Sequence, residues 1–191
     1  FYGIATHAPG WRDDSGVDEA KLNLLSDFDA GSGHLRLRAA GTVLNQETAG
    51  FIQGYNSYLD EDLAKTNPNP ESFRDASSAR LSAQYETSDV FGEHTTLKVA
   101  GIYRRSRMDF LQHFLIGKPI EHNAQTSYLL SGTAAFPAGK FTTRVVLDAE
   151  TASSELSEYQ PDPAIDGTPP ANAIRPATAR ASHARQSCAS W

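Results

Sequence analysis

The sequence predicts an all-β protein: an antiparallel up-and-down meander forming a partial transmembrane β-barrel of about six strands, with long loops on one side. Three observations predict it. Apolar and polar side chains alternate through six segments, short turns join those segments in pairs, and long connectors separate the pairs.

In residues 19–29, Ala20, Leu22, Leu24 and Phe28 share one parity, and Lys21, Asn23, Asp27 and Asp29 share the other. A period of two is that of an extended chain whose successive side chains leave opposite faces. Ala30-Gly31-Ser32-Gly33 supplies the glycines of a tight reversal, after which Leu35, Leu37, Ala39, Gly41 and Val43 alternate with Arg36, Arg38, Ala40 and Thr42. The pattern returns with Ala79, Leu81, Ala83 and Tyr85 against Arg80, Ser82, Gln84 and Glu86. Beyond a turn at residues 88–93, Leu97, Val99, Gly101 and Tyr103 oppose Thr96, Lys98, Ala100 and Arg104. In the third pair, Tyr128, Leu130, Ala134 and Phe136 run into a Pro137-Ala138-Gly139 turn. Phe141, Val145, Leu147 and Ala149 then alternate with Lys140, Thr142, Arg144, Asp148 and Glu150.

The links between the pairs, residues 45–77 and 107–123, are long. Strict alternation of short and long connections puts the tight turns at one end and the loops at the other, the asymmetry of an outer-membrane barrel. Strand lengths suit a tilted crossing of about nine to eleven residues. The same alternation also describes a soluble sheet with one wet face. The mixed charges on the polar parity, among them Arg36, Arg38, Arg80, Lys98, Arg104 and Arg144, suit a watery lumen and suit bulk solvent equally. Phe28, Tyr85, Tyr103, Tyr128, Phe136 and Phe141 near strand ends fit an interfacial girdle, or simply the strand preference of aromatics.

Composition narrows the function classes. The 191 residues carry a formal net charge of −6, which gives no electrostatic reason to expect nucleic acid. Mean hydropathy is −0.45, and no run is long and apolar enough for a transmembrane helix. Cys188 is the only cysteine, so no intrachain disulfide is available. No nucleotide-binding, zinc-protease or nucleophile-elbow motif occurs, and no enzyme activity or cofactor is expected. Asp13-Asp14 and Asp60-Glu61-Asp62 read as solvated loop acids. His113 and His122, with Glu121 in the same connector, are the only metal candidates.

The first connector contains Tyr55, Tyr58 and Asn67-Pro68-Asn69-Pro70, whose prolines favour an ordered, non-helical excursion, with room for a helical turn over residues 58–65. The second mixes Arg104, Arg105 and Arg107 with Met108, Phe110, Leu111 and Phe114; guanidinium groups match carboxylate or catecholate oxygens. Residues 1–160 are thus expected to form the partial barrel. Residues 161–191, rich in Pro, Ala, Ser and Arg, are expected to be an irregular tail.

Four loop strings carry a resemblance: Gly10-Trp11-Arg12-Asp13-Asp14-Ser15-Gly16, Leu44-Asn45-Gln46-Glu47-Thr48-Ala49-Gly50-Phe51, Asn67-Pro68-Asn69-Pro70-Glu71-Ser72-Phe73-Arg74-Asp75-Ala76, and Met108-Asp109-Phe110-Leu111-Gln112-His113-Phe114-Leu115. With the intervening hairpins they resemble the bacterial TonB-dependent outer-membrane receptors over residues 1–160. That resemblance implies part of a plugged barrel of about 22 strands, in the outer membrane of a Gram-negative bacterium. It also implies uptake of a ferric siderophore or similar scarce solute bound through extracellular loops. Neither a plug nor a TonB-contacting box is expected in this chain, so TonB is implied as partner only for a complete receptor. The remaining partners implied are outer-membrane lipid, the missing barrel and plug segments or a second copy, and the iron chelate. By the same resemblance Arg12, Gln46, Tyr55, Arg74, Arg105, Asp109 and His113 face the ligand vestibule. The alternatives are a non-transporting β-sheet structural or interaction module, or a small soluble ligand-binding β-barrel.

Overall fold

The computed structural model describes residues 1–161 and 164–167 and the strand course of residues 177–190. They form one antiparallel sheet whose strands neighbour one another in chain order: β1 (Tyr2–Ala8), β2 (Val17–Ala30), β3 (Gly33–Glu47), β4 (Phe73–Ser88), β5 (Thr96–Leu111), β6 (Ile120–Ala138), β7 (Phe141–Tyr159) and β8 (Ala177–Ser190). This is the expected up-and-down meander, with three hairpins where alternation placed them. Two strands are added. β1 precedes the first of the six expected segments and pairs antiparallel with β2. β8 corrects the irregular tail, since Ala177–Ser190 pairs antiparallel with β7. A ladder needs only backbone N–H and C=O groups, so a run of small residues without alternation joins it readily. Of the rest of that stretch, residues 161 and 164–167 form neither helix nor strand, and residues 162–163, 168–176 and 191 lie outside the described residues.

The strands also run further than the alternation did. β3 continues to Glu47 and β4 begins at Phe73, while β5 continues to Leu111 and β6 begins at Ile120. The second long connector is thereby reduced to residues 112–119, hardly longer than the turn at 89–95, so connector lengths alternate less sharply than expected. At the turn end Gly31 (φ 64°) and Gly139 (φ 66°) are the first of two loop residues, where positive φ suits glycine. Pro137, expected in that turn, sits in the last rungs of β6 opposite Thr142. Residues 89–95 are closed by Asp89 N–H to Thr95 O (2.8 Å) and by His94 N–H to the Asp89 carboxylate (2.7 Å).

Register fuses the alternating segments into two chemically distinct faces, because residues directly opposite across a ladder project to the same side. Leu22 lies opposite Gly41, Leu37 opposite Ala83, Leu81 opposite Tyr103, and Leu130 opposite Gly101 and Ala149. From Leu24 to Phe28 on β2 and across to Val145 through Ala149 on β7, this parity carries no charge. Tyr103 and Tyr128 stack at its loop-side edge (centroids 5.2 Å), and Phe91 meets Phe136 at its turn-side edge (5.9 Å). Along β6, the eight-residue step from Tyr128 to Phe136 is about 27 Å at a strand's rise; tilted, it approaches the roughly 25 Å apolar band of an outer-membrane barrel. The other parity holds cross-strand ion pairs: Arg36–Asp27 (2.5 Å), Lys98–Glu86 (3.1 Å) and Arg104–Glu150 (3.6 Å).

Nothing covers either face among the described residues. Among the described residues Leu111 and Ala164 are the only buried hydrophobic ones, whereas Leu81, Leu130 and Leu147 are each more than half exposed. The accessible surface is 13233 Å², against about 8,900 Å² for a compact protein of 20.7 kDa. The sheet is a single layer, with an apolar face that calls for an apolar environment.

Candidate functional site

The connectors 9–16, 48–72 and 112–119 leave the same end of the sheet because consecutive strands are antiparallel. Within residues 48–72 a 3-10 turn (Ser57–Leu59) leads into a five-residue helix, α1 (Glu61–Lys65), whose first turn is capped by the Asp60 carboxylate accepting from Leu63 N–H (3.0 Å). This is the helical turn expected there.

Polar contacts then lock the loops together. The Arg12 guanidinium donates to the Thr66 carbonyl through Nε (3.1 Å) and Nη2 (2.6 Å), and to the Gly50 carbonyl through Nη1. Asp13 N–H donates to Lys65 O (2.9 Å) and Asn67 Nδ2 to Asp14 O (2.8 Å), so residues 9–16 are stitched to 48–72. The Lys118 ammonium bonds Asn69 Oδ1 (3.0 Å) and the Glu71 carboxylate, joining 112–119 to the same excursion. Gly117 N–H donates to the Asp166 carboxylate (2.7 Å). Gly50 is buried in this junction: a Cβ there would lie 2.5 Å from Asn69 Nδ2 and 3.4 Å from His113 Nε2, so any larger residue would displace the Asn69 side chain. Burial pushes the Glu71 carboxyl up, but the Lys118 hydrogen bond, its own backbone and the charges of Lys118 and His113 outweigh it and hold the group below its ordinary value.

The seven expected site residues divide. Gln46 and Arg74 are directly opposite on β3 and β4, and Arg74 pairs with Phe110, so these three share the charged-parity face at the loop end. Arg74 is exposed and makes no ion pair among the described residues. Tyr55 stands at the loop tip, 97% exposed. His113 lies in the 112–119 loop, edge-on to Phe114 (5.7 Å) and beside Gly50. Arg12 is committed to backbone carbonyls and acts as a clamp. Arg105 and Asp109 do not share a face with Gln46 and Arg74. Arg105 pairs opposite Ala79, two residues past Tyr103, on the uncharged parity, and Asp109 follows on the same side, bonded to His122 and Arg107 (3.1 Å). The connector expected around them is strand, and strand geometry fixes their side.

The proposed metal pair separates too: His122 is in β6 against Asp109, Glu121 bonds Gln112 (2.7 Å), and no metal-holding cluster occurs among the described residues. What sequence reasoning missed are the loop clamps Lys118, Asn69, Glu71 and Asp166, whose partners are remote in sequence. It also missed a groove of about 480 Å³ on the charged-parity face, lined by Thr42, Ser78, Ser106, Met108, Asn123 and Gln125 just below Gln46 and Arg74. The alternating parity of those residues was the available signal. Such a surface offers hydroxyl and amide groups for orienting a solute, and the exposed Arg74 offers a planar cation for its anionic oxygens.

No family model matches the chain, and no curated protein matches it. Among solved structures, the ferric-catecholate import receptor Fiu from E. coli K12, in its open form, matches 91% of this chain with a TM-score of 0.51 at 13% identity. The shared property is the fold. The chain spans 32% of the length of that receptor, and its antiparallel meander corresponds to a part of a receptor barrel.

Proposed function

We propose that this chain forms part of an outer-membrane receptor barrel for uptake of a ferric siderophore or similar scarce solute, without chemical turnover. One observation carries the proposal: a single-layer meander with an uncharged face bounded by aromatics and an opposite face laced with ion pairs. That division suits lipid on one side and a water-filled lumen on the other. Unpaired backbone groups at the sheet edges would each cost several kcal/mol in hydrocarbon, so further barrel segments or a second copy must cover them. TonB is a partner only of the completed receptor. At the loop end, Arg74 meets anionic chelate oxygens, Gln46 and the groove below it orient the solute, and Tyr55 and His113 add contacts from the loops. Arg12 keeps those loops in place.

The test is fractionation of cells expressing the whole chain, followed by titration with the iron complex of 2,3-dihydroxybenzoate. Outer-membrane recovery, detergent dependence and binding weakened by Arg74→Ala are expected. A monodisperse species in plain buffer would instead favour the soluble interaction module or small barrel.

A further inference from the structure

Arg105 and Arg107 stand where a lipid-facing surface has least use for charge. They follow Tyr103 on the uncharged parity, at the edge marked by the Tyr103–Tyr128 stack. Beside them, on the same rows across β2 to β4, an open groove of about 670 Å³ is lined by Ala20, Leu22, Val43 and Ala79 and bounded on its β5 side by the two arginines. This volume falls in the range of small-molecule sites, roughly 300–1,000 Å³. Both arginines are exposed. Arg105 has no ion-pair partner among the described residues, and Arg107 engages Asp109 through Nε alone (3.1 Å), leaving its terminal nitrogens for another anion. The acids one level further out are occupied: Asp75 accepts from Asn45 (2.8 Å), and Asp109 is held by Arg107 and His122.

We propose that Arg105 and Arg107, with the groove beside them, hold a phosphorylated membrane lipid, its phosphate between the two guanidinium groups and an acyl chain along Leu22, Val43 and Ala79. The inference rests on the reading that this face meets the bilayer. An arginine at such a boundary lays its stem along apolar surface and keeps its head in the interface, and its planar fork matches phosphate oxygens. Small side chains opposite Arg105, Gly41 and Ala79 among them, leave room for the chain of the lipid.

The experiment reconstitutes the full chain in phosphatidylcholine vesicles and measures, by electron spin resonance, its selection of spin-labelled phosphatidic acid over spin-labelled phosphatidylcholine. Selection is expected for the native chain, with a loss of about tenfold in R105Q/R107Q, near-complete retention in R105K/R107K, and no change in Arg144→Gln on the other face. Selection that persists in R105Q/R107Q overturns the site, as does an inserted chain that selects neither lipid; the membrane reading survives both results. Loss of selection on adding inorganic phosphate reduces the site to a simple anion site and overturns the lipid assignment. A chain that stays in the aqueous phase with either vesicle overturns both readings together.

Discussion

Across the uncharged band, β2 to β7 are held by the same rung repeated many times, each residue opposite a partner of like character. The loops beyond it are held by a few individual donors: Arg12 on two carbonyls and Lys118 on Asn69 and Glu71. The contrast teaches that the band is specified by parity, so exchanging one apolar residue for another is tolerated, whereas the cap is specified by particular side chains reaching across long stretches of sequence.

The largest test sets two neighbouring positions against each other. In bilayers, Leu130→Arg is expected to lower unfolding stability by about 2–4 kcal/mol, as for a cation on the lipid face of a barrel. Ser131→Arg, opposite Asp148 on the other face, should cost less than about 1 kcal/mol. Equal losses in denaturant titrations would break the distinction between the faces. Next in size is Arg12→Ala, which leaves the Thr66 and Gly50 carbonyls without their donor. Hydrogen exchange should show residues 48–72 opening more easily by about 1.5–3 kcal/mol, with the band amides unchanged and Arg74→Ala silent in the same assay. The smallest effect is on pH. Because the folded Glu71 carboxyl titrates below its ordinary value of 4.5, its contribution is fully present above that value and is lost as pH falls through the depressed one. Amide exchange in residues 112–119, normalised for the intrinsic rate, should therefore rise on acidification below 4.5, and Glu71→Gln should flatten that response.

The legible part of the molecule follows the same contrast. Leu22, Leu37 and Leu81 announced their shared face because each sits between polar neighbours, and Val99, Leu130 and Val145 joined it through the period of two on their strands. That signal faded toward the loops: Asp75, Asp109 and His122 stand on the same parity as Leu81, Val99 and Leu130, so the apolar parity turns polar at those strand ends and the period of two loses its contrast. β3 to β6 were therefore read too short, and Arg105 was placed in a loop although parity counted from Tyr103 assigns its side. β8 escaped because alanine and serine occupy both of its parities. The clamps at Arg12 and Lys118 were invisible for another reason: local sequence does not encode which carbonyl or carboxylate will come within reach.

A molecule in which Leu111 and Ala164 are the only buried hydrophobic residues among those described has almost no interior volume to conserve. Substitutions in a packed core must respect the shape of every neighbour, but here a residue has only to keep its side. Under so loose a constraint very different sequences can follow the same path, as the shared strand course at 13% identity illustrates.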